Sequence, residues 1–293
     1  MLHQIGDQFI NGLTLGMLYI LVALGLNIIL GLMGVINFSH GSFFMLGAYV
    51  AYTLQSHIGF WPGIFCAALI IGAFGMLFES SLIRPLYKRI PEYTLLLTYG
   101  AALIFEQVVR RIWGDIAVRT QTPDYLSGSV SFAGFEVPIY KDVFLVGITI
   151  VILTGVWLLI NKTNIGMIIR AGTRDAEMVR VLGINMPLVF TFVFGIGSFM
   201  AALAGALAAP VYAIIPTLGS QWIVLTFVIV IVGGIGSFWG AVVGGLIIGV
   251  VSSLMELVPV IGPLSIELSG FVIMAIILLI RPRGIFGVEG LFE

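Results

Sequence analysis

Three histidines, one cysteine and three lysines are the side chains of this 293-residue sequence best suited to covalent or metal chemistry, and their spacing denies each the partners it needs. His3, His40 and His57 are scattered and Cys66 stands alone, so no ligand set has the spacing of a zinc site, and no intrachain disulfide can form. Each lysine follows Tyr or Asn, as Tyr87-Lys88, Tyr140-Lys141 and Asn161-Lys162, which excludes the Gly-Lys pair that closes a phosphate-binding P-loop. Ser39 next to His40 is poor material for a nucleophile and base, and neither H-E-x-x-H nor G-x-S-x-G occurs. The expectation is a protein with no catalytic residues, no metal and no cofactor. If ATP drives it, another chain hydrolyses the ATP.

The charged residues are distributed more tellingly. Arg170, Arg174, Asp175, Glu177 and Arg180 crowd into the eleven positions RAGTRDAEMVR, and the following 75 positions, Val181 to Met255, hold no Asp, Glu, Lys or Arg. A charged segment that opens onto so long an apolar block marks a crossing between water and hydrocarbon. The spacing predicts a short helix over about 173–183, outside the bilayer, capped by Thr173, with Asp175 and Glu177 in its first turn and Arg180 toward its end. Met178, Val179, Val181 and Leu182 would anchor it, and Gly183 would end it before Pro187 opens the next span. Such a helix is either presented to a partner or an ordinary interfacial connector.

The elements that position these residues follow from composition. The chain is 60% hydrophobic and 9% charged, with a mean hydropathy of +1.16 and 37 glycines, which is the profile of helices packed closely in lipid. The apolar runs do not alternate as barrel strands do. The predicted fold is one all-α polytopic membrane domain over 1–293, with about eight or nine spans, some broken or re-entrant. Candidate spans are 9–30, 42–57, 61–83, 93–113, 143–161, 187–209, 218–232, 240–255 and 264–280, each near the length that crosses a core of about 30 Å. The first reads as a retained helix rather than a cleaved leader.

Arg84, Lys88 and Arg89, then Lys162, Arg170, Arg174 and Arg180, then Arg281 and Arg283 fall on one side of that arrangement, which the positive-inside rule makes the cytoplasm and which places the C-terminus there. The loop 114–142, with the flanking Arg110 and Arg111, balances Arg119 and Lys141 against Asp115, Asp124, Glu136 and Asp142 and is expected outside, as is VPVIGPLSIE with Glu256 and Glu267 at its borders. The N-terminus is outside if 42–57 spans fully and inside if that segment is re-entrant. A net charge of −1 argues against a nucleic-acid partner.

Two segments break the apolar rhythm in the same manner: GLMGVINFSHGSFFMLG at Gly31 to Gly47 and GGIGSFWGAVVGGLIIG at Gly233 to Gly249. Paired Gly-interrupted segments in two halves of a transporter point to its translocation pathway, here with Asn37, Ser39, His40 and Gly41 from the first and Gly233, Gly234, Gly236 and Ser237 from the second. Close helix packing through small residues would produce the same pattern. Glu106 is an acid inside a span and Glu79 lies near the end of another; pairing with Arg110 and Arg84 accounts for both, and leaves few acids for a proton or sodium relay.

Arg170-Ala171, then DAEMVRVLGIN, then FGIGSFMAALAGAL resemble the cytoplasmic coupling loop and following helix of the permeases of branched-chain amino-acid ABC importers. GLMGVINFSHGSFFMLGAY, LLLTYGAALIFEQVVRRIWG at Leu95 to Gly114 and VGGIGSFWGA at Val232 to Ala241 are similar to the same family, in order along nearly the whole chain, and most resemble the smaller of its two permease subunits. The resemblance implies a bacterial inner-membrane pore made with a second homologous permease, two ATP-binding cassette ATPases below and a periplasmic substrate-binding protein above. It implies that Arg170, Arg174, Asp175, Glu177, Arg180 and Gly183 couple to the ATPase; the family's Glu-Ala-Ala and later Gly appear here as Asp175-Ala176-Glu177 and Gly183. The expected cargo is leucine, isoleucine or valine, with urea or short amides as the alternative within the superfamily and an ion-coupled carrier as the alternative outside it.

Overall fold

The computed structural model describes residues 2–87, 89–132, 135–258 and 265–287. Lys88 and most of VPVIGPLSIE lie outside these residues. Among them are ten α-helices: α1 Leu2–Met33, α2 Ser39–Ile58, α3 Phe60–Phe78, α4 Pro91–Trp113, α5 Leu145–Lys162, α6 Asn164–Val181, α7 Met186–Ala208, α8 Leu218–Gly233, α9 Phe238–Met255 and α10 Ser265–Ile280. Nine of them match the nine candidate spans, and α6 carries the charged cluster. Five elements are long and apolar enough to cross a bilayer by themselves, His3–Met33, Phe60–Leu86, Ile139–Lys162, Met186–Ala208 and Phe238–Met255, while α8 and α10 are apolar but short. The one addition to an all-helical plan is a small antiparallel hairpin in the long loop, β1 Ser129–Phe132 with β2 Phe135–Pro138, pairing Val130 with Val137.

The packing explains the glycine content. A side chain at Gly12 would put its Cβ 2.7 Å from Val250 Cα, and one at Gly16 would come 3.0 Å from the Gly245 carbonyl, so α1 and α9 lie backbone to backbone. Gly25 against Gly197 makes the same close approach between α1 and α7, at 2.7 Å. Lipid supplies no hydrophobic drive between helices, so this contact area is what holds them together. Leu18, Ile20, Leu21, Val22, Leu24 and Leu26 of α1 are buried completely, whereas Ile104 of α4, Val151 of α5 and Leu279 of α10 are exposed, as befits a bundle whose outer faces meet hydrocarbon.

The two ends of the bundle differ. At one end Leu32 of α1 clusters with Ile169 and Val179 of α6 and Met186 of α7, Arg84 reaches Pro187 and Thr191, and Ile285 donates to the Val232 carbonyl at 2.9 Å. At the other end Val118 and Ile214 form a bridge, Tyr140 donates to the Leu207 carbonyl at 2.9 Å, Thr14 donates to Asp142 at 2.8 Å and Lys141 bonds Asn11. The start of α1 therefore shares an end with the long loop. That is the arrangement expected if 42–57 crosses from end to end: α2 runs through Thr53, which Trp113 bonds at 2.9 Å at the loop end, though α2 is not among the five elements apolar enough to cross by themselves. The described basic residues Arg84, Arg89, Lys162, Arg170, Arg174, Arg180, Arg281 and Arg283 belong to segments at the first end.

Candidate functional site

Two regions carry the residues singled out in the sequence: the charged helix at the basic end and the pair of helix breaks.

α6 is longer than the charged cluster and starts earlier, with Thr163 accepting from Gly166 N–H at 3.1 Å as its cap. It kinks at Asp175, whose φ of −156° and ψ of 92° are extended, and there the Asp175 carboxylate accepts from Met178 N–H at 2.8 Å. Asp175 therefore caps the second half of the helix. This corrects the expectation for Thr173, whose hydroxyl instead donates to the Ile169 carbonyl at 2.8 Å within the preceding turn. Gly183, at φ 89°, ends the segment as foreseen, donating to Arg180 at 3.0 Å while Leu182 donates to Met178 at 3.2 Å. Of the four expected anchors only Val179 is buried; Met178, Val181 and Leu182 face outward and leave an apolar edge beside the charges.

The kink divides the charged residues between two grooves. Glu177, Arg180 and Gly183 line one of about 850 Å³ with Arg84, Tyr87 and Pro187, whereas Arg170 and Arg174 line one of about 480 Å³ with Met167, Thr173 and Gly236. The first groove has a rigid wall. Glu79, fully buried at the start of a π-helical turn, pairs with Arg84 at 3.2 Å, accepts from Thr191 Oγ1 at 2.6 Å and is bonded by Tyr87. Burial, then the Glu79 carboxylate, push the Tyr87 phenol well above its usual range, so it remains a donor. A buried carboxylate satisfied three times fixes the segment 84–87 against the first turn of α7. Glu106 likewise pairs with Arg110, at 2.8 Å, and Arg110 also bonds Asp115.

The first helix break covers residues 34–38, between α1 and α2. Its backbone is held by a residue the sequence reading passed over: Thr98 of α4, fully buried, accepts from Phe38 N–H at 3.2 Å, shares its hydroxyl proton between the Leu95 carbonyl of its own helix at 3.1 Å and the Ile36 carbonyl at 3.3 Å, and offers its own carbonyl to Ser39 Oγ at 2.7 Å. His40 is fully buried with Nε2 3.0 Å from the Val22 carbonyl. A carbonyl only accepts, so Nε2 carries the proton and Nδ1 is left as an acceptor. That Nδ1 and both polar atoms of the buried Asn37 amide have no hydrogen-bond partner among the described residues. Gly41 packs on α8, where a Cβ would collide with the Gly219 carbonyl.

The second break, 234–237, joins α8 to α9. Gly234 and Gly236 take φ of 101° and 78°, which disfavour a side chain. Ser237 caps α9 by accepting from Gly240 N–H at 3.1 Å, and the tail covers Gly233, whose carbonyl accepts from Phe286 N–H at 2.9 Å. A second residue missed in the sequence, Asn27 of α1, binds Gly236 N–H at 2.7 Å and the Ser237 carbonyl at 2.8 Å. The two Gly-rich segments touch at Gly31 and Gly236, where a Cβ on Gly31 would lie 2.6 Å from Gly236 Cα. Ser39, His40 and Gly41 point elsewhere, to α4, α1 and α8. Asn27 could have been found as the lone amide in the apolar second half of α1, whereas Thr98 follows Thr94 by one turn in a more polar helix and gives no such signal. Among the described residues no three His, Cys, Asp or Glu side chains converge to hold a metal ion.

Residues 8–281 match the family described as branched-chain amino acid transport system, permease component. The chain is 31% identical to the high-affinity branched-chain amino acid transport system permease protein BraD of Pseudomonas aeruginosa, over 96% of this chain and 95% of that one. It is 30% identical to the permease protein LivH of the corresponding Escherichia coli system, with the same coverage. A shorter stretch, 33% of this chain and 21% of the relative, is 34% identical to the Escherichia coli permease protein LivM. No solved structure matches. With the match running almost from end to end, the chain belongs to the family of branched-chain amino acid transport system permease components.

Proposed function

We propose that this chain is one membrane-spanning subunit of an ATP-driven importer for leucine, isoleucine and valine. The observation that carries the reading is the near-complete match to relatives named as high-affinity branched-chain amino acid permeases. The partial likeness to LivM supports a second, homologous permease as partner. Two ATPase subunits and a periplasmic binding protein complete the assembly in this reading, since the chain has no phosphate-binding loop of its own. The basic end would face the cytoplasm of a bacterial inner membrane, with the C-terminal segment 281–287 on that side.

In this assembly the second half of α6 enters a groove of the ATPase, with Arg174 and Arg180 on either side of the Asp175 kink and Gly183 closing the turn. ATP-driven approach of the ATPases moves α6, and the two breaks alternate the access of a route beside them. Selectivity for cargo resides mainly in the binding protein, so the route need not hold the solute tightly. The experiment is charge reversal: Arg174→Glu with Arg180→Glu should leave the permease inserted and assembled but abolish the stimulation of ATP hydrolysis by loaded binding protein. Unchanged stimulation in that double variant would remove the coupling role of α6.

A further inference from the structure

Asn27 sits deep in the bundle, 1% exposed, on the side of α1 that faces the second break. Its amide spans more than two hundred positions of sequence to make two complementary bonds, Nδ2 to the Ser237 carbonyl at 2.8 Å and Oδ1 from Gly236 N–H at 2.7 Å. The break needs this service. A chain leaving helical φ at Gly234 and Gly236 frees backbone groups that no helix ladder satisfies, and a side chain reaching in from α1 holds them in one arrangement where water at the open groove would leave them loose. A single neutral amide supplies both a donor and an acceptor.

The placement is as informative as the bonds. A cavity of about 60 Å³ lies beside this contact, lined by Asn27, Gly31, Gly236 and Phe238 and, from α6, by Arg170 and Thr173. Arg170 and Thr173 also line the open groove next to it, together with Gly236. The charged helix, the last turns of α1 and the second break therefore meet at one point, and the empty volume leaves α6 room to shift against the bonded pair. Two uncharged hydrogen bonds contribute a modest net stability, enough to hold a conformation and few enough to release it.

The geometry points to Asn27 as the latch of the second break, a positioning residue that keeps Gly236 and Ser237 against α1 in this conformation and releases them when α6 moves. This rests on the reading that the break lines the transport route.

The test compares Asn27→Leu, which removes both bonds and keeps the branching and heavy-atom count of the side chain, with Asn27→Asp, which keeps the acceptor for Gly236 N–H and loses the amide donor. Both are measured in the assembled complex by uptake and by hydrogen exchange of peptides covering 233–240. In Asn27→Leu, exchange over 233–240 should rise while the rest of α1 and α9 stays protected, and uptake should fall by about tenfold or more. In Asn27→Asp the Gly236 amide should stay slow to exchange, with a smaller loss of uptake. Unchanged exchange in Asn27→Leu overturns the latch. Faster exchange with full uptake also overturns it, while leaving the transporter reading standing. Loss of assembly in both variants assigns Asn27 to the fold alone and rejects the proposal.

Discussion

The two helix breaks look alike in sequence and are built differently. Each is splinted by one buried polar residue from a neighbouring helix, Thr98 of α4 for the first and Asn27 of α1 for the second. Around the second break the splint holds Gly236 N–H and the Ser237 carbonyl, Ser237 caps the start of α9, and the tail at Phe286 bonds the Gly233 carbonyl. The first leaves the Asn37 amide and His40 Nδ1 buried without partners among the described residues. Buried polar groups are almost always paired, so an orphaned amide marks a place that water or a passing solute would fill. In the proposed transporter the first break would then serve as the route and the second as its door.

The glycines divide along the same line, and substituting them separates the two roles. Gly41→Leu should have the largest effect, because its Cβ would collide with the Gly219 carbonyl of α8; a destabilisation of about 3 kcal/mol or more is expected, read as lost complex yield after detergent extraction. Gly236→Leu should be milder for the fold. Gly236 is exposed, and the main cost is the left-handed φ of 78°, about 1–2 kcal/mol, so the complex should assemble yet lose uptake. Equal yields for the two variants would erase the distinction between packing and conformational glycines.

A smaller effect of opposite sign sharpens the contrast. Asn37→Leu removes two unpartnered polar atoms and keeps the branching and heavy-atom count of the side chain, so the thermal midpoint of the complex should hold or rise, by the equivalent of about 1 kcal/mol, while uptake falls. The same exchange at Asn27, where both atoms are bonded, should lower the midpoint. A lowered midpoint at Asn37 would mean that its amide is satisfied in the assembled protein and that the first break is structural.

Much of the architecture was legible in the sequence, because length and apolarity alone decide which segments can cross a bilayer. The nine helices at the nine expected segments, the charged helix after the fifth of them and the pairing of Glu79 and Glu106 with nearby arginines follow from local spacing. The hairpin of the long loop is too short to show a pattern. The cap of the charged helix went to Asp175 rather than Thr173, since both are good capping residues and only the position of the kink decides between them. Thr98 and Asn27 act across 60 or more residues of sequence, and no local rule reveals which distant backbone a polar side chain will meet. The split of the charged residues of α6 between two grooves follows from the same kink.

The most direct test is uptake of labelled leucine into vesicles holding this chain with its partner permease and two ATPases, measured with and without internal ATP and external binding protein. Accumulation that requires ATP, the binding protein and this chain together is the predicted result. Leucine uptake by this chain alone, driven by a proton or sodium gradient and indifferent to ATP, would contradict the account.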